Sequence, residues 1–457
     1  MSDLRRVAAA IFLYSLALIL FELLLTRIFA VVLFASFAHL ALALALLGIG
    51  VGAVLQHLRP SLVPAEGLQA RLGWIGLGLG LSAVLAILAA LYFPLLEIPT
   101  KPPDTFQETA GIKDQLLRPG WFAALLPVLA LPFTFAGLAF SGSFQRMKEH
   151  IGYIYAADLI GGAIGALIFV PLLGALAGPD AVFVVLALSA AGALLMMRQD
   201  RTGKWVAGAS LGLALLLSLA GGFGELLKIK NTAGFSEDRV VYTRWTALTR
   251  LAVFETRTRG EKLEGAQVLV LLDNASASEI PMTLEDRQRL ALQETRSIVY
   301  HLHPPDARVA ILAASAGPEV SAAQSLGFSK IDAIDIASEI FDIVAERYPE
   351  SPVNPYLQPG VRRVHMDGRA AILQAQEPYD IIQMVHANLW SAAGLLANTW
   401  SPALLETQEA FGTYLDHLSP DGTISFGRGT DTELLVKAAL RAVWDRGVQK
   451  PWQAIAY

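Results

Sequence analysis

The chain has no cysteine among its 457 residues. Disulfides, thiolate metal sites and cysteine nucleophiles are thereby excluded, and the redox compartment is left undetermined. Charge is scarce too: 16% of residues are Asp, Glu, Lys or Arg against 54% hydrophobic, and the mean hydropathy is +0.49. That lies beyond ordinary globular composition and toward a polytopic membrane protein. Positive charge is not in excess either, and a net charge of −5 gives no electrostatic case for nucleic acid. The scarcity is uneven. Charges are sparse before about residue 225 and ordinary after it, which implies a membrane domain followed by a water-soluble one.

Long apolar runs are what the first half has instead. Windows long enough to span a bilayer fall at about 8–33, 36–56, 72–95, 121–143, 153–174, 178–197 and 205–224. The first follows Arg5-Arg6 but closes on no small-residue cleavage site, so it reads as a membrane helix rather than a signal peptide. Gly48-Ile-Gly50-Val-Gly52 and Gly161-Gly162-Ala-Ile-Gly165 carry small-xxx-small spacings, which serve packing within the chain or pairing with a second one. Glu22, Arg27 and His39 lie in or beside the first two windows; Glu22 and Arg27 suit a structural pair, an interfacial end or a proton or substrate role. Asp158, after Tyr153 and Tyr155, suits an interfacial helix start. Arg5, Arg6, Arg59, Arg71, Arg146, Lys148, Arg198, Arg201 and Lys204 fall on the N-terminal side, against Arg27, Lys101, Lys113, Arg118, Lys228 and Lys230 on the other. The positive-inside rule therefore puts the N-terminus in the cytoplasm, and an odd number of spans puts the C-terminal domain outside. A cytosolic nucleotide would require the opposite, so the side of the soluble domain stays unresolved at this point.

The expected organisation is a polytopic membrane domain of about seven helices over 1–224, a linker and small β-region over 225–304, and an α/β Rossmann-like domain over 305–457. Strand signals in the small region fall at 239–245, 251–254 and 268–273, and a helical stretch is expected near 284–300. Beyond it, strands at 308–313, 330–335, 362–365, 379–385 and 422–427 alternate with helices near 318–326, 338–348, 368–374, 403–417 and 431–446. Such alternation predicts a parallel sheet covered on both faces, with ligands beyond the carboxyl ends of its strands.

Three candidate binding positions fall at those ends. The first turn, Ala313-Ala-Ser-Ala-Gly317-Pro318, is made of small residues, of which only Gly317 has unrestricted φ. Asp335, roughly 20 residues on, stands where a carboxylate accepts ribose hydroxyls, and Asp367 follows the third strand. Each acid can equally be a cap or turn residue. The fourth strand ends on His386-Ala-Asn388-Leu-Trp390. His386 is a weak catalytic candidate, Asn388 cannot take up a proton, and Trp390 can stack on a ligand or cover the sheet edge. No metal cluster and no nucleophile–His–acid constellation is evident in this half.

Several stretches resemble one family. Trp245-Thr-Ala-Leu-Thr-Arg250, Asn354-Pro-Tyr356, Asp367-Gly-Arg369, Trp390, Thr407-Gln-Glu-Ala-Phe411 and Leu418-Ser-Pro-Asp-Gly422 are similar to the spermidine synthase (polyamine aminopropyltransferase) superfamily. Phe21-Glu-Leu-Leu-Leu-Thr-Arg27, Leu44-Ala-Leu-Leu-Gly-Ile-Gly50 and Tyr155-Ala-Ala-Asp-Leu-Ile-Gly-Gly-Ala-Ile-Gly-Ala166 extend the resemblance to its bacterial membrane-fused branch. The resemblance implies a methyltransferase-type fold binding S-adenosylmethionine or a related nucleoside, with Asp335 as the ribose acid and Asp367 as the adenine-side acid. It also implies a multi-pass protein of a bacterial-type inner membrane. Two departures stand out. The family's glycine-rich loop is Ala313-Ala-Ser-Ala-Gly317 here, and the acid that assists amine deprotonation is Asn388, which has neither the charge nor the basicity. Polyamine synthesis is therefore not expected. A transferase or lyase using an S-adenosylmethionine-related ligand, a degenerate structural or interaction subunit with a membrane-protein partner or a second copy, and an amine carrier using Glu22 remain open.

Overall fold

The computed structural model describes residues 3–33, 37–93, 119–176, 178–222, 225–230, 237–246, 248–255, 268–273, 276–385, 404–427 and 432–454. They form two compact units. The first comprises Met1–Asp238 with Arg244–Arg250, and the second Arg239–Thr243 with Leu251–Tyr457.

The first unit is a helical bundle. Its helices are α1 (Asp3–Val32), α2 (Ala38–Leu58), α3 (Leu68–Tyr92), α4 (Pro119–Arg146), α5 (Ile151–Ala175), α6 (Val182–Met196) and α7 (Arg201–Gly221). Among the described residues, seven helical stretches are long and apolar enough to cross a membrane, in the order expected from the sequence. α1 is enclosed by α2, α5 and α6, while α2 lies along α4 and α7 along α6. The inherently polar backbone is satisfied within each helix, which is what hydrocarbon demands. Prolines 127, 132 and 171 sit inside α4 and α5, where neighbouring helices make such breaks tolerable.

Both glycine stripes face neighbours in the same chain. A Cβ on Gly52 would run into the Thr134 carbonyl and sit 2.7 Å from the Leu138 nitrogen, and one on Gly137 would meet the Ile49 backbone at 2.9 Å. Gly165 lies against the Leu16 carbonyl of α1, at 3.0 Å from its would-be Cβ. Backbone-on-backbone contact of this kind is what small residues permit in a membrane. Ser15 Oγ donates to the Asp158 carbonyl at 2.8 Å, tying α1 to α5 in the same seam. At the other end of the bundle, the Asp180 carboxylate accepts from the Leu226 and Leu227 amides at 2.8 Å each, fixing the chain that leaves α7. Trp245 covers Gly178, and Arg250 donates to both Glu237 oxygens at 2.8 and 2.7 Å. Trp245 and Arg250 thus group with the bundle, although each also ends a strand of the sheet that follows.

β1 (Val240–Trp245), β2 (Arg250–Glu255), β3 (Val268–Leu272) and β4 (Ser276–Ile280) form a four-stranded sheet in chain order, all of it in the second unit except the strand ends Arg244–Trp245 and Arg250. β2–β3 and β3–β4 are antiparallel. A capping box of Thr283 and Asp286 starts α8 (Leu284–Ala291), and the expected longer helix breaks there into short turns. The main sheet is fully parallel, with order β7 (Val361–His365), β6 (Lys330–Asp335), β5 (Arg308–Leu312), β8 (Tyr379–Val385), β9 (Leu418–Gly427). α9 (Pro318–Ser325), α10 (Glu339–Arg347), α11 (Gly368–Leu373), α12 (Gln408–Asp416) and α13 (Thr432–Trp444) connect and cover it. This is a Rossmann-like arrangement. Strand order reverses between β5 and β8, so the crevice lies beyond their carboxyl ends.

β9 is longer at its start than expected. Leu418 already pairs with Tyr379, and Ser-Pro-Asp-Gly422, which reads as a turn, is a bulge before regular pairing resumes at Thr423↔Ile381. At the amino ends of the strands a charged brace crosses the sheet. Asp332 takes both Arg362 nitrogens at 2.7 and 2.6 Å, Arg308 at 3.2 Å and the Tyr379 hydroxyl at 2.6 Å. Burial alone would push Asp332 up, but these partners together hold it below the usual carboxylate range. Burial and the same carboxylate push the Tyr379 hydroxyl up to about 12.

Candidate functional site

The first crevice loop follows β5 because a fully buried strand, Val309-Ala-Ile-Leu312, has to turn sharply into α9, and Pro318 starts that helix where its missing N–H is harmless. The turn needs left-handed backbone at three places: φ is 53° at Ala313, 47° at Ser315 and 93° at Gly317. Only the last is a glycine. Ser315 is held there by hydrogen bonds with Asp335 and Tyr356, elsewhere in the unit.

Every backbone N–H from Ala314 to Gly317 already has an acceptor. Ala314 donates to the Ile334 carbonyl at 3.1 Å, Ser315 to Asp335 Oδ2 at 2.9 Å, Ala316 to Ser278 Oγ at 3.1 Å and Gly317 to the Ala314 carbonyl at 2.9 Å. Two of the loop's carbonyls are engaged as well, since the Tyr356 hydroxyl shares its one proton between Ser315 O at 2.5 Å and Ala314 O at 3.2 Å. Tyr356 is placed by Asn354, which is fully buried. Its amide nitrogen donates to the Val344 and Tyr348 carbonyls at 2.9 and 3.0 Å, and its oxygen accepts from the Tyr356 amide at 3.1 Å. Pro355 then packs on Gly317. The Asn354-Pro-Tyr356 stretch is thus the floor of the loop.

Asp335 ends β6 and is 7% exposed. Besides Ser315 it accepts from the Ala337 amide through Oδ1 at 2.8 Å. Burial pushes its carboxyl up from the usual range, with hydrogen bonds from the Ala337, Ser315 and Ile336 amides pulling the other way. Asp367, after β7, caps α11 by accepting from the Ala370 amide through Oδ1 at 3.0 Å. Gly317, Asp335 and Asp367 therefore stand at the carboxyl ends of three adjacent strands. His386, Asn388 and Trp390 lie outside the described residues.

Sequence reasoning missed the second layer beneath the loop. Glu319, on α9 and 4% exposed, meets Arg296 Nε at 3.1 Å, and burial pushes its carboxyl up. Gln383 of β8 donates to the Arg296 carbonyl at 2.8 Å and accepts from the Tyr300 hydroxyl at 2.5 Å. Glu279, beside Ser278 on β4, pairs with Arg289. No local pattern announces Ser278 or Glu319; both owe their place to tertiary packing. Among the described residues no group of three His, Cys, Asp or Glu side chains is arranged to hold a metal ion.

No family model and no curated protein matches the sequence. Among solved structures, the chain is similar to a spermidine synthase in complex with the transition-state analogue AdoDATO, at 18% identity and a TM-score of 0.33, over 46% of this chain and 64% of that one. It is also similar to the spermidine synthase of Thermotoga maritima, at 19% identity and a TM-score of 0.34, over 47% of this chain and 67% of that one. The chain thus spans less than two thirds of the first of these structures. A likeness at this level carries no activity across, and the fold assignment rests on the strand order and register given above.

Proposed function

We propose that the protein is a membrane-anchored subunit whose C-terminal unit keeps a transferase-type fold and serves as a docking module rather than as a catalyst. The observation that carries this is the closed first loop. A working nucleotide loop offers free backbone N–H groups to its ligand. Here the four consecutive amides from Ala314 to Gly317 are spent on Ile334, Asp335, Ser278 and Ala314, and Tyr356 occupies two carbonyls. A ligand tail would have to displace three side chains at once, each leaving a buried polar group unpaired. Asn388, in place of the acid implied by the family resemblance, supports the same conclusion and argues against polyamine synthesis. The bilayer is the anchor, through the seven apolar helices, and the docking partner is a second membrane protein or another copy of this chain.

One observation favours a second function, an S-adenosylmethionine-related transferase or lyase. Asp335 stands at the carboxyl end of β6, where a ribose acid is expected, and Ile336 beside it is 58% exposed. Titration calorimetry of the purified full chain with S-adenosylmethionine and with methylthioadenosine separates the two. The docking module gives no binding heat and no shift in melting temperature at millimolar ligand. Saturable binding of either nucleoside that is lost in Asp335→Ala overturns it.

A further inference from the structure

α13 is the last α-helix of the described residues, and its two sides differ in kind. Leu435 and Ala442 are buried in the cluster that packs on the sheet, with Ala438 and Ala439 beside them. The opposite side carries Leu434, Lys437, Arg441 and Trp444, spaced three, four and three residues apart, and so aligned along one helix face. All four are exposed, Leu434 at 59% and Trp444 at 53%. The chain then turns at Gly447 (φ 83°) and presents Val448, Lys450 and Trp452, again exposed, with Trp452 at 59%.

Two exposed tryptophans interleaved with lysine and arginine are an unusual surface for water. Indole rings are favoured at the boundary between headgroups and hydrocarbon, and Lys and Arg beside them meet lipid phosphates. The charge balance points the same way. Over residues 251–431 acids clearly outnumber bases, whereas in 432–454 the four bases Lys437, Arg441, Arg446 and Lys450 outnumber Glu433 and Asp445; Arg446 pairs with Asp416 at 2.6 Å, so the excess on this face rests on Lys437 and Lys450. Asp445 is itself engaged, by Arg441 at 3.2 Å and by Gln408 at 2.5 Å. A chain with seven bilayer-length helices also never leaves the vicinity of lipid.

We infer that the exposed face of α13, with the exposed Val448, Lys450 and Trp452 that follow it, is an interfacial surface that binds an anionic lipid bilayer. It requires the membrane-spanning role of α1–α7 and is independent of any ligand in the crevice. Retention of the chain in membranes after alkaline carbonate washing reports that role separately.

Because the chain lacks cysteine, Val448→Cys can carry a polarity-sensitive fluorophore in the full protein, with Glu350→Cys as an exposed reference on the same unit. In nanodiscs of phosphatidylcholine containing phosphatidylglycerol, the label at 448 is expected to be shielded from the neutral quencher acrylamide and quenched by nitroxide-labelled lipid. Shielding falls on the order of tenfold in high salt or in the triple variant Lys437→Glu, Arg441→Glu, Lys450→Glu. A label at 448 as open to acrylamide as the one at 350 overturns the inference. Shielding without nitroxide quenching overturns it too, and assigns the face to a protein surface.

Discussion

Ala313 and Ser315 hold backbone angles that cost an L-residue about 1–2 kcal/mol each. Glycine there would remove that strain while losing roughly 0.5–1 kcal/mol to the freedom of the unfolded chain. The double variant Ala313→Gly, Ser315→Gly is therefore expected to be as stable as the parent or about 1 kcal/mol more stable, in thermal melts of the detergent-solubilised chain. Gly317→Ala should go the other way by more than about 1 kcal/mol, since it adds strain at φ 93° and drives a methyl into Pro355. Asp332 sets a pH dependence. Its folded state holds the carboxyl low, so the stabilisation it supplies is present above the ordinary carboxylate range near pH 4 and fades as pH falls through the lowered folded value. Asp332→Asn should cost about 1–2 kcal/mol at neutral pH, a figure kept modest because Arg362 is largely exposed, and should flatten the acid limb of a stability–pH curve. What the sequence disclosed at this scale was position. Gly317, Asp335 and Asp367 could be placed at strand ends by counting, but that Asp335 spends itself on the Ser315 amide, and Asp367 on a helix cap, depends on where the backbone finally runs.

α2 allows a matched test of helix packing within one element. Gly52 presses on the backbone of α4, whereas nothing lies within 4 Å of a Cβ built on Gly50. Gly52→Val is expected to force α2 and α4 apart and cost about 1–3 kcal/mol, with Gly50→Val nearly silent, when both are melted in the same detergent. Equal melting temperatures would remove the close contact from the account. The elements themselves were largely readable. Long apolar windows and the alternation of short β-rich runs with amphipathic stretches place α1–α7, β5–β8 and α9–α11 within a few residues, since both periodicities are strong there. β4 escaped because Ser276-Ala-Ser-Glu-Ile280 has little apolar character, and it is a strand through its pairing with β3. The start of β9 escaped because Ser-Pro-Asp-Gly422 has the chemistry of a turn, and tertiary pairing makes it a bulge.

For the molecule as a whole, seven spans and a charge bias have one joint consequence. With all seven apolar helices crossing the bilayer as proposed, the two ends of α1–α7 would lie on opposite faces, and the excess of Arg and Lys near Arg5, Arg59, Arg146 and Arg201 would put the N-terminal face in the cytoplasm. The second unit is then expected outside, away from the cytosolic pool of nucleosides, which agrees with a crevice whose loop is closed by Asp335, Ser278 and Tyr356. Single cysteines test this directly in intact cells with a membrane-impermeant maleimide. Glu350→Cys should be labelled from outside, and Lys204→Cys, at the start of α7, only after the membrane is opened. Labelling of Lys204→Cys alone in intact cells would invert the topology, put the second unit in the cytosol and remove one of the supports for a docking role. The loop's hydrogen bonds would then have to stand on their own against the nucleoside titration, where displacement of three side chains predicts no measurable affinity.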